Sequence, residues 1–250
     1  MITIKNEDEI KLMREAGMLV SKTHKYLKPF VKAGISTKEL DTLAENFIRS
    51  NGGVPSCKGY EGFPATLCTS VNDTVVHGIP KDEILKDGDI ITIDMVIGYK
   101  GYQGDAAWTY AVGEISEEKK YLMEHTEKAL YEGVKKVKPG AHIGDISHAV
   151  EMYAKRHNLG VVKELGGHGI GKEMHEDPFI PNYGKKGRGE KLKEGMVICI
   201  EPMLNLGTPN IYVLDDEWTI KTWDGKAAAH YEHTILVTKD GYEILTPRLD

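Results

Sequence analysis

The chain is poor in the features that would place it in several protein classes. Three cysteines in 250 residues (Cys57, Cys68 and Cys199) are few and odd in number, so no disulfide framework is implied. No apolar run approaches the ~18 residues that a membrane span needs. The opening segment MITIKNEDEIKLMR is too acidic and too broken for the apolar region of a signal peptide. There is no low-complexity segment and no Pro/Gly/Ser linker, so composition marks no domain boundary. Basic residues are outnumbered, 32 Lys and Arg against 38 Asp and Glu, and the net charge of −6 speaks against general nucleic-acid binding. What remains, 40% hydrophobic and 28% charged residues, is the balance of a soluble, cytoplasmic globular chain.

The most informative feature is an internal repeat. Lys86-Asp87-Gly88 followed by Asp89–Asp94 has a counterpart in Lys193-Glu194-Gly195 followed by Met196–Glu201, an offset of 107 residues. Each reads Lys, acid, Gly, then a β-prone run ending in a carboxylate. Val31–Gly34 and Val137–Gly140 repeat at an offset of 106 and both precede an amphipathic helical pattern. The first helix, with Ile10, Met13, Gly17 and Val20 on one side, carries a capping box at Asn6 and Glu9. Strands are predicted at Ile90–Ile97, Ala106–Val112, Val197–Leu204 and His233–Thr238, the first two joined by a hairpin at Gly98–Gly101. The expected architecture is α+β: one domain over 1–250, built of pseudo-symmetric halves 1–112 and 113–250, with helices on one face of an antiparallel sheet.

Four carboxylates occupy positions where a β-strand should bury apolar groups. Asp94 follows Ile-Ile-Thr-Ile, Glu201 follows Val-Ile-Cys-Ile, Asp105 lies across the hairpin from Asp94, and Glu232 precedes Ile235-Leu236-Val237. Buried carboxylates are costly unless paired, protonated or metal-bound. The repeat brings two acids from each half to one centre, and four converging negative charges call for divalent cations. His168, flanked by glycines in Gly166–Gly171, is the natural imidazole to join them and biases the set towards transition metals. Gly166–Lys172 also mimics a phosphate-binding loop, but Glu173 stands where Ser or Thr is required and Pro178 and Pro181 interrupt any following helix.

His77 and His175 lie in Pro-containing loops in corresponding parts of the halves, and a histidine beside a metal pair can donate to substrate. His230 and His233 flank Glu232 and are candidates for orienting it. His24, His125, His142, His148 and His157 fall in helical patterns and are assigned no function. The basic run Lys185-Lys186-Gly187-Arg188, with Lys191 and Lys193, is read as a solvated loop whose charge also permits a transient ribosome contact.

These residues together resemble the type I methionine aminopeptidases, which have the duplicated "pita-bread" fold with helices outside a curved antiparallel sheet. The likeness runs over nearly the whole chain. It rests on Ser70–Asn72 with His77–Pro80, Asp94 through Gly101–Asp105, Gly167–Gly171 with His175-Glu176, Glu201-Pro202, and Tyr231–Thr234. The resemblance implies a metal-dependent aminopeptidase that removes the initiator methionine from nascent chains when the next residue is small. It implies Asp94, Asp105, His168, Glu201 and Glu232 as ligands of two divalent ions (Co, Mn, Fe or Zn), with Asp105 and Glu232 bridging. It further implies His77 as a contact to the substrate beyond the scissile bond, His175 as donor to the scissile carbonyl, and Glu201 as proton shuttle. Cys57, Tyr60, Phe63, Cys68, Met174 and Trp218 match positions of the methionine pocket, with Met174 where the best-known bacterial members carry Phe. The resemblance also implies a monomer acting without DNA or membrane, and a chain that lacks the N-terminal zinc-binding extension of eukaryotic members. Two alternatives share the fold: an Xaa-Pro aminopeptidase or dipeptidase, which usually carries an added N-terminal domain, and an inactive binding module, which loses ligands that this chain retains.

Overall fold

The structure is a computed structural model, described for residues 2–249. The first half contains α1 (Glu7–Leu27), α2 (Thr37–Ser50), β1 (Val54–Pro55), β2 (Cys68–Val71), β3 (Thr74–Val76), β4 (Ile90–Tyr99) and β5 (Tyr102–Ala111). The second begins again with two helices, α3 (Glu117–Val134) and α4 (Ile143–Arg156). Its strands are β6 (Gly160–Val161), β7 (Gly166–Gly169), β8 (Glu176–Pro181), β9 (Val197–Ile200), β10 (Met203–Asn205) and β11 (Ile211–Val213). They continue with β12 (Ile220–Thr222), β13 (Ala228–His230), β14 (His233–Val237) and β15 (Tyr242–Ile244). All named strand pairs are antiparallel. The α+β class and the duplication expected from the sequence are both present.

The repeat extends to backbone detail. Gly34 and Gly140 adopt φ of 95° and 83°, a region that only glycine enters freely, and so turn the chain into α2 and α4. Gly34 N–H donates to Leu85 C=O, and Gly140 N–H donates to Leu192 C=O. Isolated bridges Ser36–Ile84 and His142–Lys191 follow; α2 opens with a full capping box, Ser36/Glu39, and at α4 the Asp145 carboxylate accepts the N-cap His142 N–H in the same way. At α1 the Asn6/Glu9 capping box is in place.

Helix α1 packs on β4 and β5, whereas α3 packs on α4, β9, β10 and β13. One large cluster, including Val20, Leu40, Ile91, Ile93, Met95, Leu130, Ile146, Ile198 and Ile235, runs through both halves. His24 belongs to it: its ring stacks on Trp108 at 4.0 Å, and its nitrogens meet the Tyr110 hydroxyl and the Ala106 carbonyl. The remaining helical histidines lie away from the acid cluster, and His142 sits at the N-cap of α4 rather than within it.

Two strand boundaries differ from expectation, each for a physical reason. The β4–β5 hairpin is tighter, with Lys100 and Gly101 alone in the turn at φ of 49° and 85°, the signature of a two-residue primed turn. The expected strand Val197–Leu204 is two strands, β9 and β10. Pro202 has no N–H to offer a ladder, and the break leaves the Glu201 side chain at a strand end rather than between neighbours. Among the described residues no helix is long and apolar enough to cross a membrane.

Candidate metal centre

The halves meet along a seam between β5 and residues 230–234. Asp105 N–H donates to the Thr234 hydroxyl (3.0 Å), which donates back to the Asp105 carbonyl (2.8 Å). Glu232 N–H donates to Ala107 C=O, and Thr109 bonds His230 through both its N–H and its C=O. These bonds set Asp105 beside Glu232. On the hairpin, Asp94 pairs with Ala107 and Val96 with Asp105, so the two aspartates share one face diagonally rather than directly opposite.

His168 closes the cluster from β7. A side chain at Gly167 would meet the Cys199 carbonyl at 2.1 Å and one at Gly169 the Asp177 carbonyl at 2.1 Å, so glycines are needed on both sides of the histidine. The His168 Nδ1–H donates to the Gly169 carbonyl (2.8 Å), leaving Nε2 3.5 Å from Glu201 Oε1 and 3.7 Å from Asp105 Oδ2. Asp105, His168, Cys199 and Glu232 form one group of convergent donor atoms, and Glu201, His230 and Glu232 form another.

The electrostatics are unfavourable without a cation. Burial pushes Asp94 up to about 7. Burial first, then the neighbouring acids, raises Asp105, Glu201 and Glu232 well above the ordinary carboxylate range. Burial lowers His168 to about 4, leaving a neutral imidazole with a free lone pair. Asp105 Oδ1 and Glu232 Oε1 are buried with no hydrogen-bond partner in the protein. Unpaired buried oxygens beside a neutral imidazole fit divalent cations with mixed oxygen and nitrogen ligands.

Two cavities open onto this cluster. The smaller, about 260 Å³, is walled by Cys57, Tyr60, Phe63, Cys68, Val96, Met174 and Trp218. Every pocket residue expected from the sequence is in that wall, with Phe63 and Trp218 in edge contact at 5.1 Å. The larger, about 770 Å³, is lined by Val76, Glu164, Leu165, Phe179, Met203 and His230 among others. Its side chains Glu164, Leu165 and Phe179 escaped the sequence reading. No local pattern in the sequence marks them; in the structure Phe179 stands out as an apolar strand residue left 55% exposed.

His77, Asp94, His168, His175 and Glu201 line both cavities. His77 holds a φ of 57°, a strained conformation for a side-chain-bearing residue and one that often marks function. Burial lowers it to about 4 and lowers His175 as well. The Tyr60 hydroxyl lies 2.8 Å from His175 Nδ1. His233, by contrast, faces away, its ring nitrogens next to Thr246 Oγ1 and Tyr131 Oη.

An antiparallel duplicated fold with a carboxylate-and-imidazole cluster between two cavities has the donor set of a divalent-metal enzyme. Residues 11–239 match metallopeptidase family M24, and the chain belongs to that family. It is 52% identical to methionine aminopeptidase 1 of Bacillus subtilis (strain 168) over 246 residues, 98% of this chain and 99% of that protein. The crystal structure of methionine aminopeptidase from Rickettsia prowazekii is similar at a TM-score of 0.98 and 43% identity, covering 99% of this chain and 100% of that one. The prolidase of Pyrococcus horikoshii OT3 shares the fold at a TM-score of 0.78 and 25% identity, but this chain covers only 64% of it.

Proposed function

We propose that this chain is an aminopeptidase that releases N-terminal methionine when the following residue is small, using two divalent ions held by Asp94, Asp105, His168, Glu201 and Glu232. One observation carries the reading: a small apolar cavity and a larger cleft meet at the acid cluster. The methionine side chain fills the former, where Phe63, Trp218 and Met174 suit an unbranched thioether. The remainder of the peptide leaves by the latter.

When bound, the ions supply Lewis-acid activation of water and of the scissile carbonyl at neutral pH. The chain's own residues position the substrate and move protons. His175, accepting the Tyr60 O–H at Nδ1, presents Nε2–H to the carbonyl oxygen as charge develops on it. Glu201, at the β9 terminus, takes a proton from water and passes it to the departing amine. His77 stands where the two cavities join, beside the second residue of the substrate.

The reading includes one catalytic domain with its site at the seam between the halves. Three buried, free cysteines suit a reducing cytoplasm. The exposed Lys185, Lys186 and Arg188 loop would touch the ribosome transiently while the monomeric enzyme meets nascent chains. A peptide panel tests the function. Methionine is released from Met-Ala-Ser and not from Met-Lys-Ser; cleavage of Xaa-Pro peptides in preference to both would replace this reading with a prolidase.

A further inference from the structure

His230 is 2% exposed, and neither ring nitrogen has a hydrogen-bond partner in the protein. Its position is fixed through the backbone, where Thr109 bonds both its N–H and its C=O, so the ring is not anchored by its own polar atoms. Nε2 lies 3.8 Å from Glu201 Oε2 and 3.8 Å from Glu232 Oε2. That is too long for a hydrogen bond to either. It is the spacing of donors to a common ion, since ligands 2.0–2.2 Å from one metal lie roughly 3–4 Å from one another. His230 also lines the larger cavity, through which an ion can enter.

Glu201 thereby stands between two imidazoles. Its Oε1 is 3.5 Å from His168 Nε2 and its Oε2 is 3.8 Å from His230 Nε2. His233, one residue from Glu232 against two for His230, has both ring nitrogens engaged by Thr246 and Tyr131, so burial near Glu232 does not by itself leave a ring without partners.

Resting on the metal-centre reading above, we propose that His230 Nε2 is a direct metal donor, forming with Glu201 Oε2 and Glu232 Oε2 an imidazole-bearing seat additional to the five-residue ligand set. A second imidazole makes the centre softer, so His230 favours Co²⁺ and Zn²⁺ over Mn²⁺. His77 lines the same cavity as His230 and is left to contact substrate.

The test is a Co²⁺ titration of metal-depleted protein, followed by visible absorption and by proton NMR of the paramagnetically shifted, exchangeable imidazole N–H signals. Two such signals are expected in the unaltered chain, and one in His230→Gln. That variant should also lose affinity for Zn²⁺ relative to Mn²⁺ by about tenfold or more, the range seen when a metal site loses a supporting group. A single shifted signal in the unaltered chain, or spectra and affinities unchanged in His230→Gln, overturns the proposal and leaves His230 bridged by water. The count in the unaltered chain needs no variant, so a His230→Gln protein that misfolds does not block the test. Failure of the unaltered chain to bind Co²⁺ at all, together with an inert His168→Gln, would instead defeat the metal-centre reading itself.

Discussion

The Tyr60 hydroxyl lies 2.8 Å from Nδ1 of His175, tying the wall of the apolar cavity to the histidine over the acid cluster. If that cavity takes the methionine side chain as proposed, its occupation and the orientation of His175 are coupled. His175→Ala should lower kcat on Met-Ala-Ser by about 10²–10³, the cost of removing one oxyanion donor. Tyr60→Phe should give a smaller loss, again in kcat more than KM, because the donor stays but its orienting bond is gone. Read from steady-state kinetics, equal kcat in Tyr60→Phe and the unaltered chain would remove Tyr60 from orienting His175, and equal kcat in His175→Ala would remove His175 from the oxyanion role.

In the proposed function Glu201 serves in two capacities, as ligand and as proton carrier, so its loss should be severe for turnover and mild for folding. Glu201→Ala is expected to lower kcat by about 10²–10⁴. Its circular dichroism should stay native, since the change relieves a carboxylate cluster that repels itself. An unfolded Glu201→Ala protein would mean that the acid is structural.

Chelation should expose that repulsion as a pH dependence. Asp94, at about 7, and Asp105, Glu201 and Glu232, all raised by burial and by one another, take up protons more readily folded than unfolded. Such groups contribute stability at low pH that is lost as pH rises through their folded values. His24 and His233, lowered by burial to about 3 and about 4, act in the opposite sense, their contribution being lost as pH falls below 6.5. From about pH 7 upward those histidines are mostly neutral in both states and the acids govern. Thermal melts of metal-free protein should therefore show Tm falling from about pH 7 to about pH 8, and the rise in Tm on adding divalent ion should be larger at the higher pH. A metal-free Tm flat or rising over that interval would contradict the assigned charge cluster.

Trp218 closes the smaller cavity against Phe63 at 5.1 Å. Trp218→Ala should raise KM for Met-Ala-Ser more than it lowers kcat and should narrow the preference for Met over bulkier N-terminal residues. Met174→Phe, a change in one wall, should keep methionine release. Competition between Met-Ala-Ser and Phe-Ala-Ser measures both effects, and an unchanged preference in Trp218→Ala would place the side-chain pocket elsewhere.

Much of this was legible in the sequence because duplication and misplaced charge are both local signals. Gly34 and Gly140 announced the repeat, and carboxylates ending apolar runs at Asp94 and Glu201 announced the centre. The seam was not legible, because the Thr234–Asp105 bonds join residues 129 apart and no periodicity encodes them. Pro202 was readable as a strand breaker, yet the apolar run around it concealed the division into β9 and β10. His230 and His233 look equivalent in sequence, and only their packing separates a ring with free nitrogens from one already satisfied.

The most direct measurement is methionine release from Met-Ala-Ser as a function of bound divalent ion. Chelated protein should be inactive, and activity should return as Mn²⁺ or Co²⁺ is added back, in proportion to site occupancy. Methionine release that persists undiminished in the fully chelated protein would contradict the account.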